Sequence, residues 1–275
     1  MKNLFSSKNI RNNWLYVLIT KPNLYVFRLL NHLVIVGIFT FVISYLYFNS
    51  SYKEIKIPTV IHAIISVAIG LLLVFRTQTA YERWSTASKN LYELQAHFEV
   101  LFFRIKSLNS DLKIELKNNI NDFCYNFGLF LKEDKNKIKL CNNFEKKYKD
   151  SLLNIFKIID SAHKNNNIDK SDINFIMRSL SDILITCSGL SRIKNTPIPM
   201  SYEIHIKVCI FFYICSLPFG ILYDMGIWSA LVVVLVYYIM AGIEIISKEI
   251  ENPFYGDPND LPVDSFMKKI KDNFI

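Results

Sequence analysis

Four carboxylates lie close together near the end of the sequence and are its clearest candidates for binding chemistry. They are Glu249, Glu251, Asp257 and Asp260. Hard cations such as calcium take about 6–8 oxygen ligands, so the cluster could form part of a calcium site. The alternative is that these acids cap helix ends and form ion pairs, which requires no metal. The residue types alone leave both uses open.

Other patterns that support chemistry are missing from the sequence. It has no Walker A, GxGxxG, HExxH or GxSxG pattern. Its five histidines lack the spacing of metal ligands, and its five cysteines form no CxxC pair. Basic residues in the middle of the chain alternate with acidic ones, which does not indicate a nucleic-acid surface. We therefore expect neither an enzyme nor a nucleic-acid-binding protein. An integral-membrane enzyme with an unrecognised site stays an alternative.

The composition indicates a membrane protein. Of 275 residues, 51% are hydrophobic and 20% are charged, and the mean hydropathy is +0.22. Soluble domains average about 45–50% apolar and about 25% charged residues. Four runs carry no Asp, Glu, Lys or Arg, namely 29–48, 57–75, 208–222 and 227–243. Because about 20 helical residues span a hydrocarbon core, the runs predict four transmembrane helices, with Pro218 kinking the third.

The positions of Lys and Arg predict the orientation and the domain organisation. Basic residues gather in the N-terminal flank and again from Arg76 onward, whereas the connections 49–56 and 223–226 carry few. Positive flanks stay in the cytoplasm, so both termini and the middle region of a multi-pass membrane protein should be cytoplasmic. The predicted segments are 1–76 with transmembrane helices 1 and 2, 77–205 as a cytoplasmic helical region, 206–246 with transmembrane helices 3 and 4, and 247–275 as a cytoplasmic C-terminal segment.

The middle region should fold into amphipathic helices. Its apolar residues recur at steps of three and four, which gives each helix one buried stripe. These stripes include Leu94, Phe98, Ile120, Ile176 and Leu184. Only the Lys- and Asn-rich stretch 133–150 should be loosely structured and face solvent. The predicted fold class is all-α, with four transmembrane helices continuous with a cytoplasmic helical bundle.

Two segments resemble signatures of one family. In the first, Phe75-Arg76 ends an apolar helix and is followed by Tyr81, Arg83 and Trp84. The second begins at Thr196-Pro197-Ile198-Pro199 and closes with Asn252-Pro253-Phe254 and Asn259-Asp260-Leu261-Pro262. In order and spacing, roughly over residues 20–270, these blocks resemble the bestrophin family, and most closely its short bacterial branch.

The resemblance implies a homopentameric channel in the lipid bilayer of the inner (plasma) membrane that passively conducts small monovalent ions. Carried over by position, its narrow neck falls at Val67, Leu71 and Phe75, and a second, cytoplasmic aperture falls at Ile173. An apolar neck of this kind would be a hydrophobic gate. The bacterial branch suggests cations, whereas an anion channel such as one for chloride, or a membrane scaffold that does not conduct, are the alternatives. The neck residues could instead pack against neighbouring spans, and Ile173 could be an ordinary core position.

The resemblance also implies roles for the remaining motif residues. We expect Arg76, Tyr81, Arg83 and Trp84 to be interfacial anchors and subunit contacts, although Arg76 or Arg83 could instead bias ions in the vestibule. Pro197, Pro199, Pro253 and Phe254 are motif positions with structural roles. By position, Asp257 and Asp260 match carboxylates of the calcium clasp in animal relatives. Pro258 and Asn259 replace further acids of that clasp, and bacterial relatives generally lack it. We therefore expect the acidic cluster to cap helix ends and form ion pairs between subunits, with no resident metal ion or cofactor.

Overall fold

The computed structural model describes residues 24–49, 57–105, 110–133, 137–165, 168, 170–254 and 259–274. The regular elements of these ranges are helices, with no strand among them, so the all-α fold class is confirmed there. The helices are α1 (Leu24–Asn49), α2 (Thr59–Ile105), α3 (Ser110–Lys132), α4 (Ile138–Lys164), α5 (Lys170–Asn195), α6 (Met200–Met225), α7 (Ser229–Glu251) and α8 (Val263–Asn273). A 3-10 turn at Gly226–Trp228 joins α6 to α7.

Three stretches of the described chain are long and apolar enough to cross a membrane. They are Leu29–Asn49, Thr59–Ile105 and Asp172–Glu251. The third stretch contains both α6 and α7, separated by Gly226 with a φ of +56° that favours glycine. Each of the four apolar runs lies almost entirely within one of the helices α1, α2, α6 and α7. The count of four spans stays a prediction, and the N-terminal flank used for the orientation lies outside the described residues.

The chain divides into two compact units. Unit 1 contains the described residues up to Gln78 together with Pro199–Lys248, and unit 2 contains those of Thr79–Ile198 and Glu249–Ile275. The exact boundaries of the four segments defined from the sequence stay predictions. The core of unit 1 joins α2, α6 and α7 and consists of Ile69, Leu73, Ile206, Ile210, Tyr213, Ile214, Leu217 and Val233. This packing leaves the opposite side of α2 outside the core.

The core of unit 2 is formed by the later part of α2 with α3, α4, α5 and α8. The predicted stripes bury Leu94, Phe98, Ile120 and Ile176 in it. Leu184 of the predicted α5 stripe is instead 48% exposed. Aromatic rings pack closely here, as with Phe127 and Tyr148 at 4.9 Å between centroids. Periodicity therefore identified the core of this unit with one error in α5.

The expectation of loose structure over 133–150 is wrong for most of that stretch. Helix α4 begins at Ile138 and continues to Lys164. Cys141 and Tyr148 are buried, and Phe144 packs against the core, so they form an apolar stripe at steps of three and four. The lysines that dominate the composition occupy the exposed side, where Lys149 pairs with Glu145 one turn away at 2.6 Å.

Lys194 is a charged side chain buried in unit 2. Its Nζ donates a hydrogen bond to the carbonyl oxygen of Phe130 and lies 4.4 Å from the centroid of the Phe130 ring. Phe130 belongs to the last turn of α3, where carbonyl groups lack a partner within the helix. A cation at this end also interacts favourably with the helix dipole, so Lys194 closes the end of α3.

All five cysteines lie in the described ranges, and none of them forms a disulfide there. Cys124, Cys141 and Cys187 are buried in unit 2. Cys209 and Cys215 are half-buried on α6 in unit 1. The first three therefore belong to the packed core, as small apolar side chains would.

Candidate functional site

The first half of α2 has two opposite faces. Ile69, Leu73 and the almost fully buried Arg76 lie on the face that packs into unit 1. The neck positions Val67, Leu71 and Phe75 lie on the other face and are 73%, 54% and 56% exposed. Their four-residue spacing places them about one turn apart along one side of the helix. The three predicted neck side chains therefore share one exposed, apolar face of the subunit.

A network of five charged side chains lies behind this face in unit 1. Arg76 Nη2 lies 3.8 Å from Glu244 Oε1, and Lys207 Nζ lies 3.7 Å from the same oxygen. Lys207 Nζ also pairs with Glu203 Oε1 at 2.6 Å, and Lys248 Nζ donates to that oxygen at 2.8 Å. Three basic and two acidic side chains leave one excess positive charge. The network joins α2, α6 and α7 directly beside the neck position Phe75.

Neutral hydrogen bonds tie the same part of α2 to its neighbours. Thr77 Oγ1 lies 2.7 Å from Ser247 Oγ on α7, and the Tyr202 hydroxyl on α6 donates to the carbonyl oxygen of Leu72 at 3.3 Å. The sequence reasoning did not identify these partners or the acids of the network. A usable signal existed at Glu244, which ends an apolar run, because a charge beside a membrane helix normally has a partner.

The Arg83 side chain binds three backbone carbonyl groups of unit 2. Its guanidinium donates to the carbonyl oxygens of Ile193 at 2.8 Å, Thr196 at 2.6 Å and Glu251 at 3.3 Å. The Glu251 carboxylate in turn accepts the backbone N–H of Ile198 at 3.0 Å. Arg83 thus joins the two motif segments that are far apart in the sequence, which favours its structural role over an effect on ions.

Most of the remaining motif residues have structural contacts as well. Trp84 Nε1 donates to the carbonyl oxygen of Asn259 at 3.0 Å, and the Tyr81 ring stacks on Trp84 with centroids 6.2 Å apart. The Pro253 carbonyl oxygen accepts the N–H of Leu261 at 2.9 Å, and Phe254 is buried in the core of unit 2. Pro197 is exposed, and Pro199 immediately precedes α6.

Replacing Arg83 with Lys should destabilise the protein by about 2–3 kcal/mol. Lysine keeps the charge but loses the planar fork of donors, which leaves carbonyl oxygens of Ile193, Thr196 or Glu251 without their charged partner. Thermal unfolding of the detergent-purified protein measures the change. Arg178→Lys, at an exposed position of α5, is the matched control and should leave the unfolding temperature unchanged. Equal shifts in the two variants would contradict the proposed role of the fork.

The acidic cluster is divided among structural contacts where it is described. The Glu251 carboxylate is buried and accepts a backbone N–H, while Glu249 Oε2 lies 3.5 Å from Asn259 Nδ2. Asp260 is half-buried, and Asp257 lies outside the described residues. Within the described ranges, no group of three or more His, Cys, Asp or Glu side chains could hold a metal ion. That these acids have structural roles and do not bind calcium stays a prediction.

The Ile173 side chain lies in the core of unit 2. It is 7% exposed, whereas an aperture residue must present its side chain to the ion path. The structure therefore favours the alternative of an ordinary core position. Phe175, two residues further along α5, is exposed. The Arg104 guanidinium lies over its ring, with 4.2 Å between Arg104 Cζ and the ring centroid. Asp172 also lies 3.5 Å from Arg104, so this exposed part of α5 carries both an aromatic ring and charges.

Comparisons with known proteins agree with these features. A family model described as Bacterial/Fungal Bestrophin protein matches residues 6–275. A protein of Nostoc sp. named a voltage-dependent anion channel-forming protein is 33% identical over 245 residues, or 80% of this chain and 79% of that protein. A Synechocystis sp. protein of the same descriptive name is 28% identical over 240 residues, or 80% and 78% of the two chains.

A solved structure shows the same fold. The crystal structure of a bacterial bestrophin homologue from Klebsiella pneumoniae superposes with a TM-score of 0.80 at 17% identity. The match covers 90% of this chain and 98% of that chain. The resemblance found in the sequence motifs is thereby confirmed. The chain is a membrane protein that belongs to the bacterial/fungal bestrophin family.

Proposed function

We propose that this chain is the subunit of a homopentameric ion channel in which Val67, Leu71 and Phe75 of five copies form the neck of the pore. The channel conducts small monovalent ions passively and works without a resident cofactor or metal. It lies in the inner (plasma) membrane with both termini in the cytoplasm. Membership of the bestrophin family and the names of the relatives support the channel function.

The exposed face of α2 is the observation that carries the neck assignment. Val60, Ile64 and Val74 extend the apolar strip formed by the neck positions, and all three are exposed. After Phe75, the same face of α2 becomes polar, beginning at the exposed Gln78. A strip that is apolar over a limited length and then polar fits a constriction that opens into a wet vestibule.

Rotational symmetry turns each neck position into a ring. With identical subunits around one axis, each side chain on the pore face is repeated by every copy. Rings of valine, leucine and phenylalanine offer an ion no replacement for its hydration shell, so a dehydrated ion would be strongly disfavoured. Conduction then requires a wet or widened neck, and the neck closes when water leaves it. Such a gate acts on ions of either sign.

The sign of the conducted ion must come from charges outside the neck. The resemblance seen in the sequence favoured cations, but the comparisons give that preference no support. The Nostoc and Synechocystis relatives are both named anion channel-forming proteins. We therefore propose that the conducted ion is an anion such as chloride. Cation conduction is the alternative that a selectivity measurement must exclude.

Two measurements on the purified, full-length protein test this function. Chemical cross-linking in detergent should give a ladder that ends at five subunits. In planar bilayers under a tenfold KCl gradient, the reversal potential should approach the chloride equilibrium value, about 59 mV from zero. A reversal potential of the opposite sign would instead show cation selectivity. A monomeric particle would exclude the pentamer, and an oligomer without current above protein-free bilayers would favour a scaffold.

A further inference from the structure

A groove of about 720 Å³ lies among the membrane helices α1, α6 and α7 of unit 1. Apolar side chains form most of its wall, including Val36, Phe39, Phe211 and Ile214. We call it the α1–α6–α7 groove. It is separate from the exposed neck face of α2, because none of the neck positions lines it.

The acidic and basic side chains of this groove lie at only one end. His32 of α1, Lys207 of α6 and Glu244 of α7 line it there, whereas Phe39 and Cys215 line the far end. Lys207 and Cys215 are eight residues apart on α6, or about 12 Å along the helix axis. The groove is therefore an elongated apolar slot with a charged end. Its polarity matches that of an amphiphile, which has an apolar chain and a polar head.

The charged end favours an anion. Lys207 and Glu244 belong to the network with Arg76, Glu203 and Lys248, whose three basic and two acidic groups leave one excess positive charge. The Glu244 carboxylate faces Arg76 and Lys207, so its charge is already compensated. Lys207 already contacts the Glu203 and Glu244 carboxylates, but its side chain remains 47% exposed and can reach a further anionic group.

We propose that the groove binds a phospholipid with an anionic headgroup, whose acyl chain fills the apolar slot and whose phosphate contacts Lys207 and His32. Each methylene buried against apolar walls contributes about 0.8 kcal/mol relative to water. Water is a poor occupant of the apolar part of the groove, because the side chains there offer it few polar partners. The lipids of the surrounding bilayer are present at the groove in high concentration. The excess positive charge of the network then favours lipids with an anionic headgroup.

Native mass spectrometry of the intact detergent-purified oligomer tests this proposal, using phosphatidylglycerol as the anionic probe and phosphatidylcholine as the zwitterionic one. The wild type should retain about one phosphatidylglycerol per subunit and prefer it to phosphatidylcholine. Lys207→Gln should lower that preference about fivefold, and Lys207→Arg should restore it. Cys215→Phe fills the apolar end and should reduce the binding of both lipids.

A matched control lies on the same helix. Phe212 is exposed on α6 but does not line the groove, so Phe212→Trp should leave lipid binding unchanged. Because Cys215→Phe does not touch the charge network, it remains informative if Lys207→Gln fails to assemble. Undiminished lipid binding by Cys215→Phe would overturn the proposal. Lipid retained by dissociated subunits but absent from the oligomer would also overturn it, since a second copy would then cover the groove. The readout does not depend on ion conduction.

Discussion

Replacing Leu71 with Ala should raise the current through the reconstituted protein about tenfold or more. Leu71 is the middle neck position, and its side chain is exposed between those of Val67 and Phe75. In a ring of five, the change removes fifteen apolar carbons from the narrowest part of the proposed pore. A wider and less apolar ring keeps water more readily, and a barrier lowered by only about 1.4 kcal/mol gives a tenfold faster passage.

Single-channel recording separates this effect from a change in protein amount, because conductance and open probability are read from each channel. Ile65→Ala is the matched control, since Ile65 lies on the same helix and is partly exposed but faces away from the neck positions. It should leave both quantities unchanged. Equal behaviour of the two variants would show that the Leu71 side chain does not limit the ion path.

The largest loss of stability should come from breaking the buried pair of Arg76 and Glu244. Both side chains are almost inaccessible, at 1% and 9% exposed. Removing one partner leaves the other charge buried with less compensation, which typically costs about 3–5 kcal/mol. We expect Arg76→Met and Glu244→Leu each to fall in this range. The double variant should recover much of the loss, because two apolar side chains of similar size then replace the pair.

Thermal unfolding of the detergent-purified proteins, compared as a double-mutant cycle, measures this coupling. Lys248→Gln is the control, because Lys248 belongs to the same network but its side chain is 53% exposed and should contribute less than about 1 kcal/mol. If the losses of the two single variants simply add in the double variant, Arg76 and Glu244 do not stabilise each other. In that case the helix contacts around Ser247 and Tyr202 would hold α2 in place.

The helices could be predicted from the sequence because their signal is local. The stripe that includes Leu94 and Phe98 repeats at helical spacing, and the apolar runs have the length that a bilayer requires. The prediction for the stretch 133–150 was wrong because the signal there was weak. Its composition is dominated by lysine and asparagine, which concealed the sparse stripe of Cys141, Phe144 and Tyr148. Average composition does not show which side of a helix is buried.

The contacts of the candidate site could not be predicted because they join distant parts of the chain. Arg83 and Glu251 are 168 positions apart, and nothing in either motif indicates that the side chain of one meets the carbonyl oxygen of the other. Assigning a residue by its aligned position in a family also leaves its contacts undetermined. A shift of two residues on α5 exchanges the buried Ile173 for the exposed Phe175, and the sequence alone does not distinguish them.

The distribution of thiols makes the natural protein a suitable background for site-directed labelling. Burial raises the pKa of the Cys124 thiol to about 12, so at neutral pH it stays protonated and reacts slowly with maleimides. Cys187 is equally enclosed and Cys141 is also buried, while Cys209 and Cys215 are half-buried on an apolar helix. A single cysteine introduced at Val67 would then be the most reactive thiol whenever water reaches it. Its modification rate would report directly how often the passage is hydrated.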